Sequence, residues 1–162
     1  MDYRQIIQSK IFERTSLQRQ LSIWKLQSKK IVFTNGCFDI LHKGHADYLA
    51  QAKGFGDILV VGLNADSSVK NLKGENRPIN NEDARAFLLA SLHVVDVVIL
   101  FDEPTPLQLI TWVQPDVLVK GSDYKPEEMV GYEVVKQKGG TVAAIDFVPG
   151  YSTTETIKKM QS

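Results

Sequence analysis

Five short runs rich in Val, Ile and Leu punctuate the chain, over residues 30–34, 57–63, 94–100, 116–120 and 141–145. They are nearly continuous in apolar character rather than alternating, which predicts strands covered on both faces in a parallel sheet. Between them the apolar positions recur at helical spacing. Residues 45–53 put Tyr48, Leu49 and Ala52 on one face and stop at Gly54. Residues 81–92 carry Ala84, Phe87, Leu88 and Leu92 at that spacing, with Asn80 or Asn81 as cap and Glu82 and Asp83 in the first turn. A helix over 104–113 opens on Pro104, which suits a first turn, and one over 126–138 ends at Gly139 and Gly140. A last helix, 154–160, follows the turn at Pro149 and Gly150. Ile6, Ile7, Ile11, Leu17, Leu21, Trp24 and Leu26 give the first 28 residues an amphipathic helical pattern, expected to pack on the domain or on a partner subunit.

Strand and helix alternating over short links predict an α/β fold with right-handed crossovers: one Rossmann-like, doubly wound domain with a five-stranded parallel sheet over residues 29–162, plus a helical extension over 1–28. Ligands of such folds sit beyond the carboxyl ends of the strands at the topological switch point, which draws attention to the loops after the first, fourth and fifth strands. A length of 162 residues with 43% apolar composition suits one compact core. Basic and acidic residues balance at 19 each, which argues against coating nucleic acid or an anionic membrane and still allows a local basic pocket for a phosphorylated metabolite. Cys37 is the single cysteine, so no internal disulfide can form. The longest apolar run is broken by Asp96 and Asp102, and residues 1–10 lack a secretory apolar block. These features predict work in the cytoplasm, where nucleoside triphosphates are available.

The chemistry-bearing residues fall in two segments. Residues 34–45, T-N-G-C-F-D-I-L-H-K-G-H, leave the first strand, pass a glycine and enter a helix. His42 and His45, three apart, face the same way, and Gly44 between them allows close approach of a ligand to the backbone. Free N–H groups and the positive end of the helix dipole complete an anion site. Imidazoles there can donate to phosphate oxygens as charge moves onto a leaving pyrophosphate. An isolated histidine would more often be structural; two of the chain's three, in H-x-G-H after a strand, point to function. The second segment, Gly150 to Ile157, starts a helix with Ser152, Thr153 and Thr154. Taken alone these hydroxyls would be caps, but with the first segment they offer a second helix N-terminus to a triphosphate. No G-x-x-x-x-G-K-[ST] loop, no G-x-G-x-x-G after the first strand and no zinc spacing is present. Nothing marks Cys37 as an activated thiolate, and it reads as a buried thiol beside the site.

H-x-G-H after G-x-F-D, with S-T-T near the C-terminus, resembles the HxGH cytidylyltransferase-like superfamily over residues 29–157. Within it, FTNGCFDILHKGH, VGLNADSSVKNLKGENRPIN, FDEPTPLQLI, PDVLVKGSDY and PGYSTTETI most resemble the D-glycero-D-manno-heptose 1-phosphate adenylyltransferases, which include one half of a bifunctional heptose enzyme. Without a kinase part, the chain looks like a stand-alone form. The resemblance implies that His42 and His45 act on the triphosphate. Asn35, Gly36, Cys37, Phe38 and Gly44 would line the phosphate turn, and Asp39 would hold it or orient a histidine. Ser152, Thr153 and Thr154 would grip the β and γ phosphates, while Lys120, Gly121, Asp123 and Tyr124 would lie by ribose and base. Lys73 and Arg77 are candidates for the acceptor phosphate and developing charge, with Arg85 beside them; a solvated loop is an equally good account of Lys73. Asn64 and Asp66 are candidates for sugar hydroxyls, with turn capping an equally good account. Phe147 and His93 stand where cytidylyltransferases carry arginine, which leans towards ATP. The implied reaction is AMP transfer from ATP to a heptose 1-phosphate, with Mg²⁺ held by substrate and water and no protein metal site, and with a homodimer as the implied assembly. A cytidylyltransferase for glycerol 3-phosphate or another polyol phosphate, and a non-catalytic nucleotide-binding module, are the rivals.

Overall fold

A computed structural model describes residues 1–123 and 125–161. Five strands, β1 (Ile31–Gly36), β2 (Ile58–Asn64), β3 (Val97–Phe101), β4 (Val117–Gly121) and β5 (Thr141–Ile145), form one sheet in the order β3-β2-β1-β4-β5. All pairings are parallel, with Ile31 opposite Ile58, Val60 opposite Val97, Val32 opposite Val117 and Val117 opposite Thr141. The α/β, Rossmann-like architecture read from the sequence is therefore the one observed. Strand order reverses between β1 and β4, the switch point where the fold opens a crevice.

Helices cover both faces, as the unbroken apolar strands require. On one side α3 (Lys43–Lys53) and α5 (Glu82–Ser91) bury Tyr48, Leu49, Ala52, Ala86, Leu89 and Ala90 against Val32, Val61, Val98 and Val119. On the other side α2 (Arg14–Leu26), α6 (Leu107–Val113) and α7 (Tyr132–Gln137) set Leu17, Leu21, Leu109, Ile110, Val113 and Val135 against Phe33, Val60, Ile99 and Leu118. α1 (Tyr3–Gln8) precedes α2, and α4 (Asp66–Lys73) and α8 (Thr153–Gln161) flank the crevice. Between α1 and α2 the chain runs along β3: the Phe12 N–H donates to the Val98 carbonyl (2.9 Å) and the Val98 N–H to that of Lys10 (2.8 Å). That contact occupies an edge otherwise open to pairing.

Several boundaries differ from the pattern, each for a local reason. The third strand begins at Val97 rather than residue 94, because the Asp96 carboxylate accepts from the Leu59 N–H (2.7 Å) and from Lys53, closing the entry turn. The helix predicted from Pro104 starts at Leu107. Pro106 takes the cap position, and Thr105 before it is barred by the proline ring from the helical region. The helix predicted over 126–138 is a 3₁₀ turn (Pro126–Glu128) followed by α7, broken at Gly131. There φ is +93° and a Cβ would lie 2.7 Å from Ile110 Cδ1. Residues 66–73, read as turn and loop, form α4, which buries Ser68 and Val69 and ends at Gly74 with φ +96°.

Candidate active site

The carboxyl ends of β1 and β4 diverge over a cavity of about 440 Å³. Its floor is Asn35 and Gly36 of β1 with Lys120 and Gly121 of β4; the Lys120 ammonium donates to Asn35 Oδ1 across the switch point. One wall is the turn at Cys37 and Phe38 and the start of α3, with His42, Gly44, His45 and Tyr48. The other is the segment after β5, with Phe147, Val148, Tyr151, Ser152 and Thr153. The loops after the first, fourth and fifth strands thus meet as topology predicts, and two helix N-termini, those of α3 and α8, face one space.

The histidines owe their placement to the start of α3. His42 is the N-cap, with extended backbone (φ −142°, ψ 173°), and its Nδ1 accepts from the His45 N–H at 3.4 Å. An imidazole accepting at Nδ1 carries its proton on Nε2 when neutral, so His42 can turn an N–H donor outward. The two rings stack with centroids 3.9 Å apart, and Phe38 meets His45 edge-on at 5.2 Å. Burial, then repulsion from His42, pushes the His45 pKa down to about 4, against the opposing pull of the Ile40 backbone. Burial also lowers His42. Both rings are therefore neutral at physiological pH, donors and acceptors rather than fixed cations. Lys120, half-buried at the cavity floor, has its pKa lowered to about 8 by desolvation, against the opposing pull of Asp123 and Cys37. Burial likewise raises the Cys37 thiol, so the sulfur is a neutral wall and not a nucleophile.

A second cavity of about 350 Å³ shares Asn35 and Lys120 with the first. Asn64, Leu72, Thr105, Glu128 and Met129 line it further out. Lys120 thus stands between two spaces.

The remaining candidates lie off the first cavity. Asp39 is buried and holds a neighbouring loop instead of a histidine: it accepts from Arg77 Nε (2.6 Å) and from the N–H groups of Ile79 (2.8 Å) and Asn80 (2.9 Å). Burial would raise its carboxyl, but those donors outweigh it and hold the pKa below the ordinary carboxylate range. Arg85 is fully buried and spends its guanidinium on Asp66 and on three backbone carbonyls inside the protein. Asp66 is that arginine's ion-pair partner, at 2.7 Å. Asn64 donates to Ser68 Oγ (2.9 Å) yet also lines the outer cavity. Lys73 ends α4 with its side chain exposed, Asp123 is exposed beside Gly121, and Thr154 is exposed in the first turn of α8. Tyr124 lies outside the described residues. Sequence reasoning missed the aromatic wall of Tyr48, Phe147 and Tyr151. Tyr48 carries a helical core signal and reveals its second role only where it stacks with Phe147 (6.3 Å); Tyr151 lies over His42 at 6.2 Å and takes the Lys43 ammonium at 5.7 Å on its face.

The sequence pattern described as cytidylyltransferase-like matches residues 33–159, from β1 into α8. The chain belongs to the cytidylyltransferase-like family. This family member is 52% identical over 154 residues to the bifunctional protein HldE of Wolinella succinogenes, covering 95% of the chain and 32% of that protein. It is 62% identical over 133 residues to HldE of Campylobacter concisus, covering 82% and 27%. The chain spans about a third or less of the length of these relatives. Among solved structures, a lipopolysaccharide core biosynthesis protein from Thermoplasma volcanium superposes with a TM-score of 0.59 at 33% identity, covering 74% of this chain and 97% of that one. A pantoate–β-alanine ligase from Francisella tularensis shares the fold (TM-score 0.58, 18% identity, 93% and 76% covered). The cytidylyltransferase-like protein is thus a nucleotidyltransferase related to the bifunctional HldE proteins. Among the described residues, no helix is long and apolar enough to cross a membrane.

Proposed function

We propose that the protein transfers AMP from ATP to a heptose 1-phosphate, giving ADP-heptose and pyrophosphate. The observation that carries this is the pair of adjoining cavities divided by Lys120, one flanked by two helix N-termini and the stacked histidines. The inner cavity suits a nucleoside triphosphate: N–H groups at the start of α3, hydroxyls at the start of α8, and the aromatic side chains of Tyr48, Phe147 and Tyr151 along the walls. The outer cavity suits the acceptor, whose phosphate would reach Lys120 from the opposite side, with Asn64 among the groups that meet the sugar. In this reading Lys73 and Arg77 approach the acceptor phosphate, and Asp123 stays near the nucleoside. Relationship to HldE supports heptose as the sugar, and this assignment makes the product an activated sugar for a surface glycan such as lipopolysaccharide. Residues 29–162 form the transferase unit in this proposal, with 1–28 as an extension. The cytoplasm is the compartment that supplies its ATP. With residues 10–12 along β3, β5 is the sheet edge we assign to dimer formation.

A phosphate oxygen of the acceptor attacks the α-phosphorus in line, an O–P bond forms, and the α–β bridging P–O bond breaks with its electron pair leaving on pyrophosphate. The nucleophile is already anionic, so no general base is needed, and the work is positioning and charge stabilisation. His42 donates from Nε2 to the α-phosphoryl group and His45 to the bridging or β oxygens, while Ser152, Thr153 and Thr154 hold the distal phosphates at the start of α8. No cluster of three or more His, Cys, Asp or Glu that could hold a metal exists among the described residues. Mg²⁺ would enter with ATP, held by the phosphate oxygens and water.

Pyrophosphate release measured with ATP, CTP, GTP and UTP against heptose 1-phosphates and glycerol 3-phosphate tests the assignment. Turnover is expected with ATP and a heptose 1-phosphate; turnover confined to CTP and glycerol 3-phosphate would overturn the substrates and keep the class. His45→Ala is expected to fold and to lose about 10²–10³ in kcat, the scale of removing one transition-state donor.

A further inference from the structure

The reaction as written leaves unused a buried ionic cluster just beneath the cavity. Arg85 Nε donates to the Asn80 carbonyl (3.0 Å), Nη1 to those of Cys37 (2.7 Å) and Asn64 (2.8 Å), and Nη2 to Asp66 Oδ1 (2.7 Å). Asp39, four residues before the start of α3, accepts from Arg77 Nε, from the Ile79 N–H and from the Asn80 N–H, and its own carbonyl accepts from Asn80 Nδ2 (2.8 Å). Three segments meet on these two side chains: the turn after β1 that lines the inner cavity, the junction of β2 and α4, and the loop 77–80. Only the first touches the inner cavity, through Cys37 and Phe38. The last carries Arg77, whose Nη edge makes no hydrogen bond among the described residues.

We propose that Asp39 and Arg85 are positioning residues that tie the loop bearing Arg77 to the nucleotide-binding turn, so that an occupied nucleotide site holds Arg77 in place for the acceptor phosphate. This rests on the nucleotidyl-transfer reading above. A buried carboxylate and a buried guanidinium cannot give up partners cheaply, because each would be left as an uncompensated charge in a dry interior. A shift in the turn must therefore either be transmitted to residues 77–80 or break several charge-assisted bonds at once. The loop and the turn behave as one body.

The test is amide hydrogen exchange on the full chain, with and without the non-transferable analogue α,β-methylene-ATP and Mg²⁺. In the unmodified protein the analogue is expected to slow exchange at Ile79 and Asn80 by about fivefold or more, the behaviour of an element whose local opening is coupled to the ligand. In Asp39→Asn these amides should exchange faster and no longer respond, although the analogue still binds. Steady-state kinetics should then show an acceptor KM raised about tenfold with the ATP KM within about threefold, a split that general destabilisation does not produce. An analogue that binds the unmodified protein without protecting these amides, or one that fails to bind at all, overturns the proposal. So does an Asp39→Asn protein that keeps the full response. If Asp39→Asn does not fold, the comparison on the unmodified protein stands alone. Exchange needs no turnover, so failure of heptose 1-phosphate as a substrate would remove the substrate assignment and leave this result readable.

Discussion

At Lys120 burial and charge pull in opposite directions. The ammonium sits on the cavity floor with its pKa lowered to about 8, because desolvation penalises the charged form more than Asp123 and Cys37 favour it. In the free enzyme the cation is present below that pH and is lost as pH rises through it. In the proposed reaction two incoming phosphates would favour the charged form and move the transition upward. We expect kcat/KM to fall on the alkaline side with an apparent pKa near 8, and kcat to fall only at higher pH. Lys120→Arg should erase that limb, since guanidinium stays charged; pH profiles of both enzymes check it. His45 behaves differently. Its folded pKa, about 4, lies below the ordinary value near 6.5. The unfolded chain therefore binds the proton first, and the contribution of neutral His45 to stability is whole above about 6.5 and drains as pH falls towards 4. Thermal melts across that range should show a falling Tm, and a shallower fall in His45→Gln. Asp39, held below the ordinary carboxylate range, contributes in a separate window at lower pH.

Among the elements, β4 and the segment after β5 are fitted to each other at one glycine. A Cβ on Gly121 would lie 2.1 Å from Phe147 Cζ and 2.5 Å from Cε2. Phe147 is 57% exposed, so the ring can swing away while the strand stays paired. Gly121→Ala should consequently leave Tm nearly unchanged and raise the ATP KM several-fold as the aromatic wall is displaced, read by melts and initial rates. The elements themselves were largely legible. Asn81 caps α5 through its Oδ1 to the Ala84 N–H (2.9 Å), as the pattern proposed, and β5 has the predicted bounds. What escaped notice were the short helix α4, with little apolar periodicity in D-S-S-V-K-N-L-K, and the break at Gly131, set by the distant Ile110 side chain.

For the whole molecule the question is how the first 28 residues join the rest. Leu17 and Leu21 are buried with Ile31 and Phe33 in the same apolar cluster, and Ile7 and Ile11 pack against the other. Leu17→Ala should therefore cost about 2–5 kcal/mol, the range for a leucine deleted from a closed core. Urea unfolding should show this as a lower midpoint in one cooperative transition with no separate early phase.

The sequence by itself determined the sheet, its parallel sense, the helical cover and the two segments that bear the phosphate-binding signals, because these depend on local periodicity, caps and turn residues. Only the tertiary structure decided that Asp39 holds residues 77–80 rather than a histidine, that Arg85 is internal, and that Lys120 stands between two cavities. It also decided that Tyr48 and Phe147 share a wall. Those outcomes depend on which buried donors and acceptors meet across separations as large as the 85 residues between Asn35 and Lys120. No periodicity encodes such a meeting; close packing at the point where strand order reverses creates it.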